Sequence, residues 1–291
     1  MKLTTLIIGF RTPEGIGLVS DTKVSISNGE SFHQSKILTP IQGVPVIVGA
    51  AGDADLFLEF NRKVPLIVNE KIRQINIDNE AELKTVGLSL KDYQQPQESR
   101  NQQNVKKEIS KIKETKKEFI QPPYMYSGED LIDDCKNLIK GISSQVKNEN
   151  PFPLEMFLGL KGDITAPPSL HYINWNGRER AIRGYEAIGS GSAFVKKFFD
   201  KHWNFGMSLA DSISLAFFTI KYVQDVAKDI FVGVEDNELP EAFVVYNDGN
   251  FGRIRFSNEN DVLKKINEKT KHFQDMINQI NLTEMKLIPK I

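Results

Sequence analysis

Few side chains in this chain of 291 residues are of a type and spacing that could do chemistry. The single cysteine, Cys135, sits in the helix-like run Gly128-Glu-Asp-Leu-Ile-Asp-Asp-Cys135-Lys-Asn-Leu-Ile-Lys-Gly141. A packing role is expected there, and no intramolecular disulfide is available. The four histidines, His33, His171, His202 and His272, are scattered without metal-ligand spacing, so none is expected to be catalytic, and no metal or cofactor is expected. Asp53 and Asp55 stand where a helix is expected to begin, and capping is the expected role. Gly189-Ser190-Gly191 lacks the following lysine and the longer spacing of a phosphate loop. What remains are hydroxyls, a carboxylate and an ammonium: Thr4 and Thr5 near the start, then Asp21, Lys36 and Ser190, with Gly49 and Gly52 in a small-residue run between them.

The elements that must position these groups read as follows. Thr4 to Phe10 is β-branched and apolar, Thr12-Pro13-Glu14-Gly15 is turn chemistry, and Ile16 to Ser20 is a second short apolar run; together they predict a hairpin. Val44 to Val48 is a further strand, bounded by Gly43 and Gly49. From Asp53 to about Ile75 the apolar spacing turns helical. Glu129 to about Ser144 predicts a helix, and Pro153 to Leu160 and Ser169 to Trp175 predict strands, with Asn174 to Arg178 as a turn. Leu209 to about Ala227 is a long amphipathic helix. Ile230 to Val234 and Glu241 to Tyr246 read as strands, and Asn247-Asp-Gly249 is a strong turn signal. The order suggests antiparallel sheets covered by helices, an α+β layered arrangement.

Two stretches stand outside this pattern. Residues from about 78 to 123 are polar, low in complexity and then densely charged. They bury little apolar surface and read as an insertion into a domain spanning 1–256. The tail, 257–291, is charged and helical, with apolar residues at Val262, Ile266, Phe273, Ile277 and Ile280. The formal net charge of −1 gives no reason to expect a nucleic-acid or membrane partner. No apolar run approaches the roughly 20 residues a membrane span needs, no signal peptide is legible at the start, and a cytoplasmic location is expected.

Four local signatures resemble the β-type proteasome subunits and the shorter bacterial proteasome-like peptidases, which are N-terminal-nucleophile hydrolases. Thr4-Thr5-Leu-Ile-Ile-Gly9, followed by Gly15-Ile-Gly-Leu-Val-Ser-Asp21-Thr-Lys, resembles the family's nucleophilic threonine on one strand and its aspartate at the end of the next. Lys36-Ile37 is similar to the site of its lysine. Gly49-Ala-Ala-Gly52-Asp53-Ala54 resembles its oxyanion glycine, and Gly184-Tyr-Glu-Ala-Ile-Gly189-Ser190-Gly191-Ser192 its turn with an auxiliary serine. The resemblance covers about Thr4 to Leu58 and Pro151 to Gly249. It implies a four-layer αββα sandwich of two antiparallel sheets flanked by helices. The α-type subunits carry an extra N-terminal helix for which there is no room here, so the β-type is favoured.

The implied chemistry is acyl transfer to threonine. A hydroxyl is a poor nucleophile at neutral pH, but a terminal threonine has its own base in an α-amine of pKa roughly 7.7–8.0. The resemblance gives Lys36 the role of favouring the deprotonated hydroxyl, Asp21 that of holding Lys36 charged and oriented, and the N–H of Gly49 that of facing the oxyanion. Ser190 is implied as the auxiliary serine. Asp229 stands in the region of an acidic residue that orients the site, although Phe231-Val-Gly233 follows it in place of the usual Ser-rich continuation. An ungapped reading back from Asp21 puts Thr5 at the nucleophile; a turn one residue longer puts Thr4 there. Only one of the two can face Lys36, because side chains alternate along a strand.

The resemblance further implies ring-forming partner subunits, unfolded polypeptide as substrate and an ATP-dependent unfoldase as partner. One departure bears on activity. Active members expose the threonine by cutting after a glycine, whereas here Thr4 precedes Thr5, Leu3 precedes Thr4, and Lys2 is too bulky for simple methionine removal. While residues 1–4 remain, the α-amine is locked in a peptide bond. Two alternatives to a threonine endopeptidase therefore stand: an inactive structural subunit of such an assembly, and an amidase or acylase acting on a small molecule from the same scaffold.

Overall fold

The computed structural model describes residues 2–25 apart from Thr4, then 31–40, 45–53, 56, 58–67, 70, 128–145, 154–162, 166–226, 232–234, 238–255, 258–269 and 271. The 78–123 insertion, Thr4, Asp229 and most of the 257–291 tail lie outside the described residues.

The expected hairpin is β2 (Leu6–Thr12) and β3 (Gly15–Ser20), antiparallel with Ile7 opposite Ser20 and Thr12 opposite Gly15. Nearly every residue of both strands is buried, as an unbroken apolar run requires when it is covered on two faces. β3 pairs on its other side with β12 (Glu241–Tyr246), which is followed by β13 (Phe251–Arg253), and β2 pairs with β11 (Tyr185–Gly189). This gives a five-stranded sheet in the order β11-β2-β3-β12-β13. The second sheet is built on β7 (Val46–Asp53), β8 (Glu155–Leu160), β9 (Ser169–Asn174) and β10 (Glu179–Ala181), all antiparallel. On the edge of β7 away from β8 lie two short strands, β1 (Lys2–Leu3) and β6 (Ile37–Leu38). A small pair, β4 (Lys23–Ser25) with β5 (Ser31–His33), stands apart.

The two sheets face each other through Ile7, Leu18, Ile47, Phe157, Leu170 and Val245. The outer face of the β7 sheet is covered by helical residues 58–67, here α1, and by α2 (Gly128–Gln145), through Phe60, Val64, Leu131, Cys135 and Ile139. The outer face of the β2 sheet is covered by α3 (Ser192–His202), α4 (Leu209–Val226) and the helical residues 259–269, here α5. There Val195, Phe199, Phe217, Ile220 and Ile266 supply the contacts. The order of layers is therefore helix, sheet, sheet, helix, the α+β four-layer sandwich expected. Among the described residues no helix is long and apolar enough to cross a membrane.

Two local expectations change. β7 does not stop before Gly49 but runs on to Asp53, because β8, β6 and β1 all supply pairing partners along it. Asp53 closes that strand opposite Lys2. Val232, Gly233 and Val234 have no strand partner; they form an irregular segment held by other means described below.

Candidate functional site

The N-terminal segment crosses between the two sheets. Leu3 pairs with Gly52 of β7, while Leu6, three residues on, pairs with Gly189 in the other sheet. Thr5 lies in this crossing, fully buried, and its Oγ1 has no hydrogen-bond partner among the described residues. A buried hydroxyl left without a partner costs free energy that a folded chain ordinarily avoids. The Thr5 carbonyl accepts a long hydrogen bond of 3.5 Å from Ser190 Oγ. Gly189 presses so closely on that carbonyl that a Cβ at 189 would lie 2.0 Å from the oxygen, and its φ of +93° is one that glycine favours.

Asp21, at the end of β3, is fully buried, and Lys36, immediately before β6, is 1% exposed. Lys36 Nζ donates to Asp21 Oδ1 at 2.8 Å and to the carbonyl of Lys23 at 2.6 Å. The same Asp21 Oδ1 accepts the N–H of Leu6 at 2.8 Å, and Oδ2 accepts the N–H of Gly233 at 3.1 Å. One carboxylate oxygen thus ties the ammonium to the residue that follows Thr5. β6 pairs Ile37 with Gly49, and the N–H of Ala50 reaches the carbonyl of Lys36 at 3.2 Å. Lys36 and β1 therefore lie in succession along one edge of β7, opposite Ala50 and Gly52.

Burial pushes the Asp21 carboxyl above its ordinary value and the Lys36 ammonium below its own, while the attraction between the two works against both shifts. Glu241, 7% exposed on β12, adds a further negative charge felt by Lys36, and its other partner is Arg253 at 3.2 Å.

The structure brings together Thr5, Asp21, Lys36 and Ser190. It places Gly49 in the same strand edge region but with a different orientation. Backbone groups alternate along a strand, and since the N–H of Ala50 points to β6, that of Gly49 points to β8, where Phe157 is its partner. Its Cα faces Ile7 and Leu18 of the opposite sheet.

Sequence reasoning missed the groups that secure the carboxylate from behind. Gly233 donates to Asp21, and its carbonyl accepts from the N–H groups of Thr22 and Lys23. That segment is clamped by Gln224 of α4, which donates Nε2–H to the carbonyl of Val234 at 2.9 Å and accepts the N–H of Val234 at 3.2 Å. These are backbone groups, which carry no residue-type signal; only the placing of a glycine between two valines hints at a close approach.

With the geometry in place, comparison with known proteins can be read. No protein-family model matches the chain and no curated relative does. Among solved structures, the Anbu (Gly-1) mutant from Hyphomicrobium sp. strain MC1 aligns with a TM-score of 0.61 at 13% identity, covering 98% of this chain and 100% of that one. Anbu from Yersinia bercovieri, described as an ancestral beta-subunit, aligns with a TM-score of 0.59 at 11% identity and the same coverage. The chain has a proteasome-β-like fold. At such identities the likeness concerns the path of the backbone; the roles of side chains rest on the contacts above.

Proposed function

We propose that this chain is a threonine-type endopeptidase subunit of a proteasome-like ring, with Thr5 as its nucleophile after loss of residues 1–4. The observation that carries the reading is the unpartnered, buried Thr5 hydroxyl next to a residue whose N–H shares one oxygen of Asp21 with Lys36. In the processed chain the Thr5 α-amine takes the hydroxyl proton as Oγ1 attacks a peptide carbonyl. Lys36, held by Asp21 and by the Lys23 carbonyl, supplies the positive charge that favours the deprotonated hydroxyl. Ser190 and the backbone of Gly189 fix the Thr5 carbonyl. Gly49 remains a proposed oxyanion donor only if its N–H leaves β8, and Asp229 and Thr4 remain candidate residues of the site. Removal of β1 would open the edge of β7 at Gly52 and Asp53 to an extended peptide. Partner subunits of a ring, an unfolded polypeptide as substrate, an ATP-dependent unfoldase and a cytoplasmic setting complete the reading.

A second reading has its own observation. Lys2 and Leu3 are paired into the sheet, which favours a chain that keeps residues 1–4 and serves as an inactive structural subunit. Intact mass of the purified chain separates the two. A species beginning at Thr5, covalently modified there by a threonine-directed epoxyketone, is the expected result. A mass retaining Met1 to Thr4, with no modification, would reject the peptidase. Turnover of small acyl amides in place of peptide amides would instead point to the amidase or acylase.

A further inference from the structure

A second hydroxyl, away from Thr5, lies in line with an imidazole and a carboxylate. Ser169 and His171 are two apart on β9 and so share a face. The register of β10 sets Ala181 opposite His171 and Glu179 opposite Ile173, which brings Glu179 to the same face as a diagonal neighbour of His171. His171 Nδ1 is 2.7 Å from Glu179 Oε1, and Nε2 is 2.9 Å from Ser169 Oγ. An ionised carboxylate only accepts, so Nδ1 carries the ring proton. In the neutral imidazole Nε2 is then the acceptor, and the Ser169 hydroxyl donates to it.

The side chain of His171 is 11% exposed and that of Glu179 25%, and Ser169 is likewise partly buried. Lys136 of α2 feels the charge of Glu179 as well as that of Asp133. Tyr172 donates to Glu155 and lies under Arg180 on the opposite face of the sheet. Ser169 is level, through Leu160, with Val46 at the start of β7, whereas the Thr5 site gathers at the far end of that strand.

We propose that Ser169 is an acyl-acceptor site for small activated esters, with His171 as its general base and Glu179 as the residue that positions the imidazole. Ser169 Oγ attacks the ester carbonyl carbon and passes its proton to His171 Nε2. The bond to the leaving oxygen breaks, and that oxygen departs with the proton from Nε2. Water then attacks the Ser169 ester with the same base, releasing the acid and restoring the serine.

The probe is 4-nitrophenyl acetate, applied to the full chain carrying Thr5→Ala so that the first site contributes nothing. A stoichiometric burst of nitrophenol and an acetyl group mapped to Ser169 by peptide mass spectrometry are expected. His171→Gln should slow acetylation of Ser169 roughly a hundredfold. Glu179→Gln, the milder change, should slow it roughly tenfold or more, because a glutamine amide that donates to Nδ1 turns the ring proton toward the serine. Acetyl groups on lysines with Ser169 unmodified would overturn the proposal. So would an equal rate at Ser169 in Glu179→Gln, folded with an unchanged Tm.

Discussion

At the scale of single residues, the Asp21–Lys36 pair carries the clearest prediction. Two charges held out of water are stable only while both are present, and removing one partner of a buried pair typically costs about 3–5 kcal/mol. Lys36→Met keeps the length of the side chain and leaves Asp21 with backbone donors alone. The variant should lose stability of that order and, under the proposed mechanism, all peptidase activity. The sign of the pH dependence follows from the direction of the Asp21 shift. Burial raises the carboxyl above its ordinary value of 3.8, and loss of the Lys36 attraction raises it further. A carboxyl with a raised folded value contributes stability that is present below the unfolded value and lost as pH rises through the folded one. Urea unfolding from about pH 4 to about pH 8 should therefore show the deficit of Lys36→Met growing with pH; a constant deficit would count against a buried charged pair. Asp21 and Lys36 were singled out through the family resemblance of the segments that carry them. The Lys23 carbonyl and the Gly233 N–H were not, because every residue has such groups and only the fold selects which ones meet.

At the scale of elements, the turn from β11 into α3 and the helix α2 make contrasting cases. Gly189 has φ +93° and would direct a Cβ to within 2.0 Å of the Thr5 carbonyl oxygen, a backbone atom fixed by the sheet. Gly189→Ala should cost about 2–3 kcal/mol or more, measurable by thermal unfolding, and should displace Thr5. In α2, burial among apolar side chains pushes the Cys135 thiol up to about 12. The thiolate is the reactive form, so the native chain should resist alkylating reagents near neutral pH and react promptly once urea unfolds it. A fast native reaction would contradict the packing of α2 on the sheet. α2 and α4 were readable because 18 residues of apolar periodicity leave little ambiguity. β1, β4, β5 and β6 were not, being two or three residues long, too short to show any period. The end of β7 was misjudged because glycines that usually punctuate here sit inside a paired strand.

At the scale of the whole molecule, the spacing between the sheets governs the candidate site, since Thr5 and Asp21 adjoin β2 and β3 of one sheet and Lys36 adjoins β6 of the other. Glycines help to set that spacing. A Cβ on Gly9 would lie 3.1 Å from Leu18 and Leu170 side-chain atoms, one on Gly49 3.3 Å from Ile7, and one on Gly159 2.7 Å from both Ile16 and Ile47. The tightest of these is Gly159, where an added methyl would press on Ile47 of the paired strand and on Ile16 of the opposite sheet, and interiors at crystal-like density have little slack to absorb it. The layered order was predictable from the succession of elements, but these glycines could not be told from turn glycines until the registers were known. Two alanine substitutions test the idea with opposite signs. Gly159→Ala should lower stability by about 1–3 kcal/mol through overpacking, since Ile47 on the paired strand and Ile16 of the opposite sheet must both shift. Gly141→Ala, in α2 with nothing within 4 Å of the added carbon, should raise stability by about 0.5–1 kcal/mol, since a helical glycine gives up more chain entropy than alanine on folding. If both substitutions shifted the urea midpoint the same way, the change would reflect glycine content alone, and the claim that close packing at Gly159 matters would fail.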